Sequence, residues 1–175
     1  HLNLQRSRRL EDLSPLAECT SLRWLNIQNC ERIVSLEALR PLRQLEVLNA
    51  YRLPLIEDLS PFSNLHKLHE LYFSRCRVLT DLSPLSQAEA LEIVVLASCE
   101  QIEDISPLIR MPNLRFLDLD GCVKISDLSP LASAHKLEKL DISRCVSLQD
   151  ISPLQGLEGL RELNMMTCDG VVDLS

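Results

Sequence analysis

Aromatic residues are scarce in this chain: one Trp, two Tyr and three Phe in 175 residues, so where they fall is informative. Glycine is scarcer still, with four, and no glycine-rich run is present that could cradle a phosphate. No unbroken apolar run approaches the roughly 20 residues a membrane-spanning helix needs. Positive charge is in deficit: 18 Lys and Arg against 25 Asp and Glu give a net charge of -7. Nucleic acid is therefore a poor partner, because binding its backbone depends on clustered cations. No Asn-x-Ser/Thr sequon occurs.

What the chain has in abundance is periodicity. A segment built on Leu-x-Leu-x-x-Cys returns every 23 residues, opening at Leu2, Leu25, Leu48, Leu71, Val94, Leu117, Leu140 and Leu163 without insertion or deletion. Residues 1–175 thus read as one array of seven complete repeats and a partial eighth. The array begins just before a repeat boundary and stops within a repeat, with no polar cap at either end. It reads as a fragment of a longer protein.

Numbering each opening residue as column 1, apolar residues fill columns 1, 3, 6, 9, 12, 15, 18 and 21. The single spacing of two is a strand signal: in Leu117-Asp118-Leu119 the outer side chains face inward and the middle one outward. Spacing of three elsewhere is too tight for a long α-helix and fits 3₁₀ turns or extended arcs. The return carries Asp-Leu-Ser-Pro-Leu, as in Asp12 to Leu16, Asp81 to Leu85 and Asp127 to Leu131, with Ile in Asp104 to Leu108 and Asp150 to Leu154. Ser before Pro is a helix-start signal, the hydroxyl serving as cap. Repeat two has Ser35-Leu36-Glu37-Ala38-Leu39 instead, so a looser turn is expected there.

One repeat cannot bury enough apolar surface to fold alone, so stability comes from stacking. Strands pack more closely than returns. The expected fold is an α/β repeat solenoid, a curved superhelix with a concave parallel β-sheet, one short strand per repeat, and short 3₁₀ or irregular turns on the convex side.

Six of the seven cysteines, Cys30, Cys76, Cys99, Cys122, Cys145 and Cys168, share column 6. Equivalent residues of stacked strands lie about 4.8 Å apart, whereas a disulfide prefers Cβ atoms near about 3.8 Å, and the odd total leaves one thiol over. A structural ladder of free thiols fits better, and suits a reducing, intracellular (cytoplasmic) compartment more than secretion. Zinc needs converging ligands, not a line of them. Repeat three breaks the ladder with Leu53-Pro54-Leu55 and repeat one with Ser7, so different turns are expected in those coils. Cys19 falls in core column 18.

The columns Leu-x-x-Leu-x-Leu-x-x-Cys, as in Leu114 to Cys122 and Leu137 to Cys145, resemble the leucine-rich repeat family over the whole chain. The Asp-Leu-Ser-Pro-Leu return is similar to that of internalin-type repeats, which usually have 22 residues and Asn in column 6; Cys in column 6 is similar to the longer F-box-associated class. The full combination looks most like trypanosomatid adenylate cyclase regulatory proteins. The resemblance implies a protein-binding module.

Columns 23, 2 and 4 should line the concave face, and four of the six aromatics fall there. Trp24, Val47, Tyr51, Tyr72, Ile93, Val95 and Phe116 are expected to form an exposed apolar strip bordered by Asp118, Asp120 and Asp141, a composition that suits a protein interface. The alternative is that another part of the chain or a second copy covers the strip. In column 5, Arg6, Arg52, Arg75 and Arg144 form a rim that either grips an acidic partner segment or is solvated beside carboxylates. The column-11 aspartates, Asp12, Asp58, Asp81, Asp104, Asp127, Asp150 and Asp173, would repel one another unless each accepts backbone hydrogen bonds, which a turn role supplies. A calcium ladder lacks converging oxygens.

His66 and His69 are the only pair with metal-like spacing, in a return with no helix to align them. No serine has a motif-suggested histidine partner. The sequence therefore reads as a non-enzymatic interaction module with no catalytic residues, metal or cofactor and no membrane contact from this segment. Its alternatives are a self-associating scaffold, or the regulatory or targeting arm of a larger signalling or ubiquitin-ligase protein.

Overall fold

The computed structural model describes residues 1–172; Asp173 and the end of the partial eighth repeat lie outside the described residues. Eight strands form one parallel sheet in chain order: β1 (Leu2–Asn3), β2 (Trp24–Asn26), β3 (Val47–Asn49), β4 (Glu70–Tyr72), β5 (Ile93–Val95), β6 (Phe116–Asp118), β7 (Lys139–Asp141) and β8 (Glu162–Asn164). Each residue pairs with the one 23 positions on, as in Leu25↔Leu48 and Leu71↔Val94, so the sequence period is the register. Between strands run seven 3₁₀ segments, and no α-helix occurs among the described residues. The helical part of the expected α/β architecture is therefore 3₁₀ alone.

All eight apolar columns point inward and form one continuous core. Phe62 and Phe73 are fully buried and meet edge-on, with ring centroids 6.0 Å apart. Burial weakens where a coil has a neighbour on one side only: Leu163 is 40% exposed, unlike its column-1 equivalents. The same effect corrects the placement of Cys19, which is exposed despite its core column.

The Asp-Leu-Ser-Pro return works differently from the expected serine cap. The serine hydroxyl caps nothing; the aspartate is the clamp. In the Asp127 turn, Oδ1 accepts the Ser129 N–H at 2.7 Å and Oδ2 accepts its hydroxyl at 2.8 Å. The same pair of bonds recurs at Asp12, Asp58, Asp81, Asp104 and Asp150. Hydrogen bonds from Ser14 and Ser129 hold Asp12 and Asp127 below the usual carboxylate range, so these two stay ionised within their turns. In repeat two the Ser35 hydroxyl accepts the Glu37 N–H at 3.2 Å, and a shortened 3₁₀ segment, Glu37–Leu39, still forms.

Each coil leaves the sheet through one left-handed residue. Column 5 has positive φ in all eight repeats: Arg6, Asn29, Arg52, Arg75, Ser98, Gly121, Arg144 and Thr167, between 57° and 72°. That twist turns column 6 into the core, where every ladder thiol but Cys76 donates to the column-3 carbonyl one coil back, as in Cys30 to Leu4 at 3.1 Å, Cys122 to Leu96 at 3.3 Å and Cys168 to Ile142 at 2.9 Å; Cys76 turns to the Ser74 oxygen, 3.7 Å away. Repeat one keeps the common turn, with Ser7 N–H on the Leu4 oxygen at 3.1 Å. Repeat three keeps left-handed Arg52 and buries Leu53 fully, although its Ile56 N–H to Leu53 oxygen bond lengthens to 3.3 Å. Repeat one thus has the common turn, whereas in repeat three the Leu53 N–H makes no bond to the Ala50 oxygen and the turn differs there; the slot still accepts Ser or Leu because the left-handed backbone defines it.

Candidate functional site

The sheet face is laid out by register. Column 23 runs Trp24, Val47, Glu70, Ile93, Phe116, Lys139, and column 2 runs Asn26, Asn49, Tyr72, Val95, Asp118, Asp141. Tyr72, Val95, Ile93 and Phe116 meet on adjacent strands as one apolar cluster. Glu70 separates them from a second pair, Trp24 and Val47. Every one of these side chains is half-buried instead of exposed, because strand neighbours about 4.8 Å away cover its flanks. His1 tilts over Trp24 with ring centroids 5.8 Å apart.

Tyr72 is held in place by its hydroxyl, which donates to Glu70 Oε2 at 2.9 Å. Burial, reinforced by that carboxylate, pushes the hydroxyl up to about 12. It stays a protonated donor across the physiological range. Tyr51, in column 4, carries the Arg75 guanidinium over its ring, 5.7 Å from the centroid.

The acidic border is built from side chains that also serve the backbone. Asp118 Oδ1 accepts the Asp120 N–H at 2.9 Å, and Asp141 Oδ1 accepts the Ser143 N–H at 2.9 Å. Asn3, Asn26 and Asn49 do the same for Gln5, Gln28 and Tyr51. Desolvation raises the Asp118 carboxyl, and the Asp141 and Asp120 charges add to the effect against the opposing Asp120 N–H bond. Beside Phe116 and Asp141 the face opens into a hollow of about 870 Å³, walled by Lys139, Arg161, Glu138 and Glu162.

The rim arginines divide by environment. Arg144 forks onto Asp120, with Nε 2.7 Å from Oδ1, and Arg52 reaches Glu31 at 3.3 Å. Arg6 is exposed. Arg75 has no carboxylate within ion-pair distance among the described residues, nor has Arg77, which sequence reasoning did not single out. These two and Arg52 line a second hollow, of about 390 Å³, with Ser98, Glu31 and Glu100. Arg77 stands in column 7, outside any periodic signal, and becomes visible only once the turn brings it beside column 5.

His66 is exposed, and His69 is half-buried with Nδ1 3.2 Å from the Lys67 carbonyl. Among the described residues no three His, Cys, Asp or Glu side chains converge as metal ligands. No described helix is long and apolar enough to cross a membrane.

This architecture is that of known leucine-rich repeat proteins. The chain matches internalin C2 of Listeria monocytogenes with a TM-score of 0.78 at 28% identity, over 89% of this chain and 66% of that one. It matches a second Listeria monocytogenes internalin, InlF, with a TM-score of 0.77 at 30% identity, over 94% of this chain and 46% of that one. A leucine-rich repeat protein of Leptospira interrogans shares the fold with a TM-score of 0.69 at 14% identity, over 94% of this chain and 54% of that one. The chain spans just under two thirds of the first internalin's length and less than half of the second's. No protein-family model and no curated protein matches the sequence.

Proposed function

We propose that this leucine-rich repeat solenoid is a non-enzymatic protein-interaction module that docks a protein partner on its sheet face. The observation that carries the reading is the cluster of Tyr72, Val95, Ile93 and Phe116 on consecutive strands, half-open to solvent and rimmed by charge. Interfaces concentrate aromatic anchors within a polar border. The face is also rigid before contact, since its backbone is locked by the ladder and its tyrosine by Glu70. Little ordering entropy is then lost on association.

The experiment is an affinity capture comparing the wild-type chain with a folded Tyr72→Arg, Phe116→Glu variant. A partner retained by the wild type and lost by the variant supports the reading; an identical set of captured proteins overturns it. The resemblance of the 23-residue, Cys-containing repeat to trypanosomatid adenylate cyclase regulatory proteins favours a second reading, in which the array is the regulatory arm of a larger signalling protein. Seven free thiols suit a reducing compartment for either.

A further inference from the structure

Column 4 holds a backbone donor that the sheet does not use. In a regular parallel ladder its N–H would bond the column-3 carbonyl one coil back. Here the chain is already turning toward its left-handed column 5; in repeats two and five to eight that carbonyl receives the column-6 thiol instead, while in repeat four the Cys76 thiol turns to the Ser74 oxygen at 3.7 Å and the Ala50 oxygen receives neither. The column-4 N–H is left facing the sheet surface. In repeats one, two, three, six and seven the column-2 Asn or Asp closes it, at 2.9 to 3.2 Å. In repeats four and five column 2 is Tyr72 and Val95, neither of which reaches back to accept it. The N–H groups of Ser74 and Ala97 accordingly have no hydrogen-bond partner among the described residues.

Unpaired backbone donors at covered positions are rare in folded proteins. Ser74 is 5% exposed and Ala97 is half-buried. Two such donors stand at equivalent positions of adjacent coils, about 4.8 Å apart. The next residue after Ser74 is Arg75, whose guanidinium lies over Tyr51, the column-4 residue of the preceding coil, and has no carboxylate partner. Two N–H donors and a free guanidinium thus border the Tyr72 and Val95 cluster, in a molecule whose net charge is -7.

We propose that the Ser74 and Ala97 N–H groups, with Arg75, receive a carboxylate on an extended segment of the partner protein whose apolar side chains rest on Tyr72, Val95 and Phe116. This rests on the sheet-face reading above and gives it a chemistry. Charge-assisted bonds from backbone N–H groups and Arg are the strong ones, and a planar carboxylate can take several at once.

The test exploits what the other repeats do. Val95→Asn supplies the missing acceptor for the Ala97 N–H, as Asn49 does for Tyr51, so it should fold at least as well as the wild type while closing the receptor; Val95→Ile leaves it open. The probes are acetyl-Leu-Glu-Leu-Glu-Leu-amide, its Gln twin as amide, and the Gln twin with a free C-terminus. They are titrated into the ¹⁵N-labelled chain. Expected is binding of at least one carboxylate-bearing probe about tenfold tighter than the amidated Gln twin, with the Ser74 and Ala97 amide protons moving downfield. That preference should be lost in Val95→Asn and kept in Val95→Ile. Equal binding of all three probes, stationary Ser74 and Ala97 resonances, or an undiminished preference in Val95→Asn would overturn the receptor. A captured partner lost by Phe116→Glu but kept by Val95→Asn would also overturn it, leaving the sheet-face reading intact. A partner kept by both would remove both.

Discussion

The sulfur of Cys99 lies 3.1 Å from the carbonyl oxygen of Phe73, one coil before it in the stack. Phe73 is fully buried, and its oxygen receives no backbone N–H among the described residues, so the thiol is its partner. The Leu96 oxygen is better served, taking the Cys99 N–H at 3.1 Å and the Cys122 thiol at 3.3 Å. Truncating Cys122 to Ala should cost about 1 kcal/mol, mostly a small cavity, whereas Cys99→Ala also orphans a buried acceptor and should cost about 2 kcal/mol. Urea unfolding of the two variants measures the difference; equal losses would mean the thiol bond contributes nothing.

Burial pushes the Cys30, Cys122, Cys145 and Cys168 thiols up, Cys145 to about 12, while Cys19 is exposed. A water-soluble disulfide reagent should therefore modify one thiol of seven in the native chain. The sign of the pH effect follows from linkage. These buried thiols hold their protons while unfolded ones, which ordinarily titrate at about 8.5, release them, so stability is full below that value. It should fall as the pH rises from there through about 12, a loss that Cys145→Ala reduces in a denaturant series at increasing pH.

Column 5 stores backbone strain wherever it is not glycine. Ser98 has φ 58°, and replacing it with Gly should stabilise the chain by about 0.5–1 kcal/mol. Gly121→Ala should destabilise by about 1 kcal/mol, since φ is 72° and the added Cβ would stand 3.3 Å from Ser98 Oγ. Thermal melts of the single and double variants also test whether Ser98→Gly softens the second change.

Asp118 is the exception among the carboxylates. Its pKa is raised chiefly by desolvation, with Asp141 opposite it in the ladder, so its folded form favours the proton. That contribution is present below the unfolded value and lost as the pH rises through the folded one. Asp118→Asn keeps the acceptor for the Asp120 N–H and removes the charge. Its melting temperature should exceed the wild type's at pH 7, and the gap should close as the pH falls below 4; a constant gap would place the effect elsewhere.

The repeat period alone gave the register and the eight core columns, because in a stacked coil each equivalent residue meets its own kind. Leu25, Leu48 and Leu71 could only be one column. The sheet-face residues followed from the pleat. What the letters hid lies in the backbone. Nothing about Arg52 or Arg75 announces a left-handed residue, a conformation glycine and asparagine usually occupy, and only Gly121 and Asn29 hint at it. The serine of Asp-Leu-Ser-Pro read as the cap because its spacing to proline fits one, while the aspartate two positions earlier makes the bonds. The unclosed N–H groups of Ser74 and Ala97 were invisible for a different reason: they are the absence of a side chain's service, legible only after Asn26 and Asn49 show what column 2 does.

The central claim is that the sheet face is where a partner binds, and hydrogen–deuterium exchange on the captured complex tests it most directly. Slowed exchange is expected in residues 70–75, 93–98 and 116–121, with the 3₁₀ turns at residues 83–87 and 106–110 unchanged. Protection confined to those turns, with the strand segments exchanging as in the free chain, would contradict it.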